Sequence, residues 1–351
     1  MRIFITSDLS KSPWKDSSVQ ASIFLYESIQ STGAEVFMLN TSHSDSFAKR
    51  NNKFYNLSQI NDANFPSIDV LIICGASLSL DQQKSIKSKF SCKIILYQHY
   101  FVSAIHQENF AHGKRLPYSE PLVDEIWVPE HHSKSMQYVS LFYNPQASIK
   151  SIPYLWDSSF INAENKREKL NFGIEEKKSI VIFEDNKYSF KTCLMPIMIC
   201  EKANKLDPKA IDAVSALNTS NVKQNKSFMK FSSDLTLNKE NKLHLSGIWN
   251  FSNAVSKIGK YILSYQENNH LNYLFLEALY LGLPLIHNSE YIKEYGYYFN
   301  SMDLNWAANQ VLNALANHEE NLEVYKEQNK FLIKSYHPKN HKNKAFFNSC
   351  F

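Results

Sequence analysis

Two successive series of strand-like and helix-like segments constrain the fold of this chain most strongly. In the first series, short runs rich in β-branched and aromatic residues alternate with segments of helical spacing. We predict strands there at residues 2–6, 35–39, 69–74, 93–97, 125–129 and 149–153. The same alternation restarts at residue 179, with predicted strands at 179–183, 213–217, 243–246, 261–265 and 285–288. Strands that alternate with helices are typical of βαβ units, so both halves are predicted to be α/β with parallel sheets.

The length of the chain also favours two domains. At 351 residues it exceeds what a single hydrophobic core usually supports, and its 44% hydrophobic content supplies material for two. We predict a first domain over residues 1–155, a charged connector over 156–178, a second domain over 179–318, and a C-terminal helix and tail over 319–351.

The composition excludes several functional classes. Only 8 glycines occur, and neither G-x-G-x-x-G nor G-x-x-x-x-G-K-[ST] can be written, so a bound phosphate must be held in another way. The net charge of +4 permits an anionic ligand without requiring nucleic acid. The 5 cysteines are scattered and form no C-x-x-C pair, and no apolar run approaches the roughly 20 residues that span a bilayer. These features predict a reduced, cytoplasmic protein without a transmembrane segment or a zinc site.

The stretch over residues 261–289 is the best candidate for a ligand site. It reads as a buried strand, a polar loop at 266–270, a helix at 271–281 and a second strand. Gln266, Glu267, Asn268 and Asn269 directly follow the first strand, and Asn272 lies at the start of the helix. Open α/β sheets bind ligands outside the carboxyl ends of their strands, which is where these side chains are expected.

Two further strand ends of the second half carry polar groups. Lys191 and Thr192 precede an apolar helix, where a cation, a hydroxyl and terminal N–H groups can hold phosphate. The alternative for this pair is an ordinary helix cap beside a solvated lysine. Asn218 follows the strand predicted at 213–217 and faces the same edge.

In the first half, titratable groups follow predicted strands. Asp8 lies in a long polar loop after the first strand, and His99 follows the fourth. His99, His106 and His112 are spaced seven and six apart, which lacks the i, i+4 pairing of two metal ligands on one helix face. We therefore predict no metal site and regard His99 as a titratable group in a cleft, or otherwise as a hydrogen-bonded core histidine. Residues 130–132, Glu-His-His, follow the next strand as second-rank candidates.

Residues 275–286, FLEALYLGLPLI, resemble the "LEALA-G-P-VI" signature of the GT-B glycosyltransferases. The resemblance implies a GT-B fold, in which two Rossmann-like domains with parallel sheets face a central cleft and a C-terminal helix crosses back to the first domain. It also implies metal-independent transfer from a nucleotide-sugar, with UDP- or GDP-sugars expected, and no other cofactor. The glutamate of the signature binds the donor ribose, a role that falls on Glu277.

The chain also resembles an uncharacterised bacterial and phage family known only as a domain of unknown function. The matching pieces are DEIW at 124–127, PYLW at 153–156, IFE at 182–184 with Lys191 and Thr192, residues 266–273, and LIHNS at 285–289. They extend over most of the chain, so the resemblance does not depend on one short motif.

These resemblances assign roles to the candidate residues. The expected donor-binding set is Lys191, Thr192, Asn218, Gln266, Glu267, Asn268, Asn269, Asn272 and Glu277. Within it, Lys191, Thr192 and the N–H groups of residues 268–270 would hold the diphosphate. For the catalytic base we expect His99 first and Asp8 second, because both follow strands of the first domain.

One departure from the family pattern keeps other functions open. Retaining GT-B enzymes often carry a further glutamate eight residues before the ribose-binding one, and Asn269 occupies that position here. The expected acceptor is a saccharide or lipid-linked glycan. A first alternative is a phage-type enzyme that glycosylates hydroxymethylated bases in DNA, and a second is a nucleotide-sugar-binding protein without turnover.

Overall fold

The chain forms two parallel α/β sheets in a computed structural model that describes residues 1–14, 16–46, 53–114, 116, 122–170 and 177–351. The strands are β1 (Arg2–Ser7), β2 (Glu35–Asn40), β3 (Phe54–Asn56), β4 (Val70–Gly75), β5 (Lys93–Tyr97), β6 (Glu125–Pro129), β7 (Ser148–Ile152), β8 (Ser179–Ile182), β9 (Ala213–Ala216), β10 (Leu243–Leu245), β11 (Tyr261–Ser264), β12 (Leu285–His287) and β13 (Tyr297–Tyr298). The helices are α1 (Ser17–Gln30), α2 (Leu80–Phe90), α3 (Val102–Ala111), α4 (Met136–Tyr143), α5 (Ser159–Glu168), α6 (Leu194–Leu206), α7 (Lys226–Asp234), α8 (Thr236–Lys239), α9 (Phe251–Lys257), α10 (Tyr273–Tyr280), α11 (Leu304–Asn317), α12 (Leu322–Tyr336) and α13 (His341–Cys350).

The first sheet has seven strands in the order β3-β2-β1-β4-β5-β6-β7, and all its pairings are parallel. Ile3, Phe4 and Ile5 of β1 are fully buried, as expected when helices cover both faces of a parallel sheet. Strand order reverses between β1 and β4, which makes their carboxyl ends the switch point of this sheet.

The second sheet has six parallel strands in the order β10-β9-β8-β11-β12-β13. Its switch point lies between the central neighbours β8 and β11. Gly259 lets these two strands meet, because a Cβ at that position would lie 2.4 Å from the carbonyl oxygen of Ser179. The fold class predicted from the sequence is therefore confirmed.

Each sheet belongs to one compact unit. The first unit contains residues 1–160 and 334–351, and the second contains residues 161–333. In the first unit, α13 packs against α1 and buries Phe347 beside the Trp127 ring, with 5.8 Å between ring centroids. The final helix thus returns to the first unit. Part of the predicted connector forms α5. Residues 171–176 of the connector lie outside the described part of the chain.

None of the helices in the described ranges is both long and apolar enough to span a membrane.

Candidate functional site

Polar side chains converge where β8, β9, β11 and β12 end, a group that we call the second-sheet edge. Glu184 follows β8, Asn218 follows β9, Gln266 follows β11 and Asn288 follows β12. Because the strands are parallel, their carboxyl ends lie along one edge, and this edge includes the switch point between β8 and β11.

Gln266 is the centre of the hydrogen bonds at the second-sheet edge. Its side chain is buried, and Nε2 donates to Ser264 Oγ at 3.2 Å and to Glu184 Oε2 at 3.4 Å. Its Oε1 accepts from the side-chain amides of Asn269 and of Asn272, the latter at 3.2 Å. Both ends of the Gln266 amide are therefore engaged, which fixes its orientation.

Asn288 holds the backbone of the same loop. Its Oδ1 accepts from the Gln266 N–H at 3.0 Å, and its Nδ2 donates to the Gln266 carbonyl at 3.1 Å and to Ser301 Oγ at 2.9 Å. Beyond this point the loop becomes exposed at Glu267, whose carboxylate accepts from the Tyr265 hydroxyl at 3.2 Å, and at Asn268, which adopts a left-handed φ of 58°.

Glu184 is a buried carboxylate at the switch point. Its Oε1 accepts from Ser264 Oγ at 2.6 Å and from the Tyr265 N–H at 3.0 Å. Burial raises the pKa of Glu184 to about 7, although the charge of Lys191 and the hydrogen bonds from residues 264–266 act in the opposite direction. Near neutral pH the protonated and the ionised form of this group are therefore both populated.

The loop after β8 brings Lys191 and Thr192 to the start of α6. Asn186 turns this loop with a φ of 55°, and its Oδ1 accepts from the Cys193 N–H at 2.8 Å. Lys191 and Thr192 are half-buried. Asn218, with a φ of 57°, donates from Nδ2 to the Phe183 carbonyl at 3.0 Å, so its amide ties the ends of β9 and β8 together.

Helix α10 begins and ends as its sequence dictates. Asn272 caps it by accepting from the Phe275 N–H at 3.0 Å, and its end is marked by Gly282, which takes a left-handed φ of 70°. Glu277 lies one turn into this helix and is half-buried. Burial, aided by the like charge of Glu164 on α5, raises the pKa of Glu277 to about 8, so this carboxyl carries a proton at neutral pH.

In the first unit, Asp8 and His99 follow β1 and β5, and we call this pair the first-sheet edge. Strand β4 lies between β1 and β5, which separates the two strands by about 10 Å. Burial alone would raise the pKa of Asp8, but hydrogen bonds from the Ser10 hydroxyl and N–H, with the charge of Lys11, hold it below its usual range.

His99 differs from Asp8 in having no partner at one ring nitrogen. Its Nε2 is buried and accepts or donates no hydrogen bond among the described residues. Burial lowers the pKa of His99 to about 4, and the Asp16 carboxylate offsets this only in part. The imidazole is therefore neutral at physiological pH.

The other residues that the sequence singled out in the first unit are His106, His112 and the group at 130–132. His106 pairs with the Tyr138 hydroxyl at 3.0 Å, and His112 pairs with Glu108 at 3.0 Å. His131 and His132 are buried, and Glu130 is exposed. Within the described ranges, no three His, Cys, Asp or Glu side chains approach closely enough to hold a metal ion.

The structure thus brings together most of the residues that the sequence singled out in the second half. Sequence reasoning missed Glu184, Asn186 and Asn288 as site residues. The signal for both Glu184 and Asn288 was present, since Glu184 directly follows the strand predicted at 179–183 and Asn288 is the last residue of the strand predicted at 285–288.

Several solved structures share this architecture over nearly the whole chain. TarM of S. aureus, in complex with Fondaparinux, α-GlcNAc-glycerol and UDP, matches with a TM-score of 0.64 and 11% identity over 99% of each chain. Alr3699/HepE of Anabaena, in complex with UDP-glucose, matches with a TM-score of 0.60 and 8% identity over 99% of this chain and 100% of that one. The β-glucosyltransferase of phage T4 matches with a TM-score of 0.55 and 12% identity over 100% of this chain and 98% of that one.

These likenesses define the class of fold, because the matched structures are GT-B glycosyltransferases and this chain has the same fold. Residues 2–350 match the family described as "Protein of unknown function (DUF2827)", and the chain belongs to that family. A comparison with curated proteins found no match.

Proposed function

We propose that this protein is a glycosyltransferase that moves a sugar from a nucleotide-sugar to a hydroxyl group of a saccharide or a lipid-linked glycan. The observation that carries the proposal is the second-sheet edge, where hydrogen bonds join Glu184, Gln266, Asn269 and Asn272 at the switch point of a parallel sheet. Such a point is where open α/β sheets bind their ligands.

The diphosphate of the donor is assigned to Lys191, Thr192 and the N–H groups of residues 268–270. Lys191 supplies positive charge beside the start of α6, and N–H groups aimed at a developing negative charge stabilise a leaving diphosphate. The family resemblance implies transfer without a metal ion, which turnover in the presence of EDTA tests directly.

The ribose of the donor is assigned to Glu277. A protonated carboxyl can donate to one ribose oxygen while it accepts from the neighbouring hydroxyl, so the raised pKa of Glu277 suits a neutral diol. Asn269 and Asn272, which both donate to Gln266, are assigned to sugar or phosphate oxygens. Asn218 and Glu267 remain assigned to the donor through their positions at the same edge.

The base that accepts the proton of the attacking hydroxyl is assigned to His99, with Asp8 as the second candidate. His99 is neutral at physiological pH and its Nε2 has no partner among the described residues. The carboxylate of Asp8 is engaged by Ser10 and Lys11, which makes it the weaker base.

The experiment that tests the proposal is a thermal-shift screen with UDP-, GDP-, ADP- and CMP-sugars, followed by detection of released nucleoside diphosphate with a panel of glycan acceptors. A ligand that binds only the native state raises the unfolding temperature by mass action. We expect stabilisation by a UDP- or GDP-sugar and acceptor-dependent release. Stabilisation without release from any donor would instead identify a binding protein without turnover.

DNA is the second candidate acceptor, and one observation favours it. The DNA-modifying β-glucosyltransferase has the same fold over 100% of this chain. If DNA is the acceptor, the logarithm of the association constant for DNA falls linearly with the logarithm of the salt concentration, because phosphate contacts release counterions. A constant that does not change with salt would exclude DNA as the acceptor.

A further inference from the structure

Glu184 is a buried carboxylate to which the proposed chemistry assigns no role. It is 1% exposed and lies between the ends of β8 and β11. Burying a carboxylate costs free energy unless hydrogen bonds or an opposite charge compensate for it. The compensation here comes from the second-sheet edge itself, through the Ser264 hydroxyl, the Tyr265 N–H and the Gln266 amide.

The contacts of Glu184 determine which way the Gln266 amide points. A glutamine side chain presents an oxygen acceptor at one position and an NH2 donor at the other. In its ionised form the Glu184 carboxyl can only accept hydrogen bonds, and this form selects the orientation in which Nε2 of Gln266 faces it. The oxygen of Gln266 then faces Asn269 and Asn272 and accepts from both.

Asn272 extends this chain of contacts to α10. Its Nδ2 donates to Gln266, which leaves its Oδ1 to cap the helix through the Phe275 N–H at 3.0 Å. A reversed Gln266 amide would place NH2 groups opposite NH2 groups at Asn269 and Asn272. The orientation of the Gln266 amide is therefore set from two sides, by the Glu184 carboxylate and by Asn272 at the start of α10.

We propose that Glu184 is a positioning residue of the donor site, which acts through Gln266 to hold the side chains of Asn269 and Asn272 in the orientation that receives the nucleotide-sugar. This inference rests on the proposed function of the second-sheet edge. Glu184 itself does not touch the donor in this assignment.

Glu201 in the same unit provides a matched control. It is also buried, at 2% exposed, but it accepts from the N–H groups of Thr236 and Leu237 at 2.9 and 3.0 Å and pairs with Lys205 at 3.0 Å. It therefore fixes the start of α8, away from the second-sheet edge. Glu201→Gln makes the same chemical change at comparable burial without touching the amide network.

The test is a double-mutant cycle on UDP and GDP binding, measured by calorimetry with the full-length chain. We expect Glu184→Gln to raise the Kd of the bound nucleotide about tenfold and Gln266→Ala to raise it by a similar factor, because the two side chains belong to one hydrogen-bond network. The double variant should show about a tenfold rise, since Glu184 acts only through Gln266. Glu201→Gln should leave the Kd unchanged.

The outcomes separate this inference from the function on which it rests. A double variant that weakens binding about a hundredfold, as two independent effects would, or an unchanged Kd in Glu184→Gln, overturns the role of Glu184. Wild-type protein that binds neither nucleotide overturns the proposed function and this inference with it.

A milder variant covers the case in which Glu184→Gln does not fold. Ser264→Ala removes both the 2.6 Å donor to Glu184 and an acceptor of the Gln266 amide, and it should raise the Kd in the wild-type background but not in Gln266→Ala. An equal effect in both backgrounds contradicts the proposal.

Discussion

The two sheets end in edges of opposite character. At the second-sheet edge, Glu184, Gln266 and Asn272 hold one another through hydrogen bonds, and each side chain has a fixed partner. At the first-sheet edge, Asp8 bonds within its own loop, and His99 presents a buried Nε2 that has no partner among the described residues.

Under the proposed function, this difference corresponds to two tasks that glycosyl transfer requires. A network whose donors and acceptors are already paired is preorganised for recognition and changes little when ligand arrives. A neutral imidazole whose Nε2 has no hydrogen-bond partner among the described residues keeps a lone pair that can accept the proton of a hydroxyl group. The proposed function therefore predicts that substitutions at the second-sheet edge change affinity and that substitutions at the first-sheet edge change rate.

The largest effect is expected at His99. His99→Ala should lower the transfer rate by about 10²–10⁴, the usual contribution of a general base, while the Kd for UDP stays unchanged. His112→Ala, which removes an exposed histidine paired with Glu108, serves as the control and should retain full rate. If His99→Ala transfers sugar at the wild-type rate across pH, the His99 imidazole is structural.

Opposite pKa shifts at the two edges predict opposite responses of stability to pH. The pKa of Glu184 is about 7 in the folded protein and about 4.5 in the unfolded chain. Its contribution to the free energy of unfolding is therefore complete below pH 4.5 and is lost as the pH rises through 7. The loss is at most about 3 kcal/mol. The pKa of Asp8 is lowered in the folded protein from its ordinary value of about 3.8. Asp8 therefore stabilises the folded protein above that pH, and this stabilisation is lost as the pH falls below it.

Thermal unfolding midpoints between pH 3 and pH 8 test these signs. The unfolding midpoint of Glu184→Gln should fall less than that of the wild type between pH 5 and pH 8. The midpoint of Asp8→Asn should respond to pH differently from that of the wild type only in acid. An unaltered pH response in Glu184→Gln would show that the group does not titrate in this range.

Removal of the carboxyl at Glu277 should weaken nucleotide binding by about tenfold, since each hydrogen bond of a neutral carboxyl contributes about 0.5–1.5 kcal/mol. Calorimetry with UDP measures this change. Glu323→Ala on α12 removes an exposed carboxylate that pairs only with Lys326 in the described contacts, and it should bind UDP as wild type does. If the folded Glu277→Ala protein binds UDP with the Kd of the wild type, Glu277 does not bind the ribose.

The smallest effect is expected at two helix caps. Asn272→Ala and Asn225→Ala each remove a capping amide, at the starts of α10 and α7, and each should cost about 1 kcal/mol of stability. Only Asn272→Ala should also weaken UDP binding, by a few-fold, because only Asn272 bonds to Gln266. Equal UDP affinity in both variants would show that Asn272 acts as a cap alone.

Much of the fold could be predicted from the sequence because buried parallel strands are continuous apolar runs. The predicted strand at 93–97 matches β5, and the helix predicted at 271–281 appears as α10. Strands β3 and β13 were missed because three and two residues are too few to show a pattern.

The proximity of site residues could be predicted where they are close in the sequence. It could not be predicted where the pairing of strands brings distant residues together. Gln266 and Asn272 flank one loop, so their proximity follows from the sequence. Glu184 lies 82 residues from Gln266, and only the pairing of β8 with β11 brings them together. Likewise, nothing in the sequence shows that β4 separates Asp8 from His99.

The most direct test of the central claim is calorimetric titration of UDP and GDP into wild type, Lys191→Ala and Lys187→Ala. The two lysines lie on the same loop, but only Lys191 acts on the buried Glu184 carboxylate. We predict saturable binding of one nucleotide to wild type, weakened binding to Lys191→Ala and unchanged binding to Lys187→Ala. Failure of wild type to bind either nucleotide, or equal affinities in both variants, would contradict a donor site at the second-sheet edge.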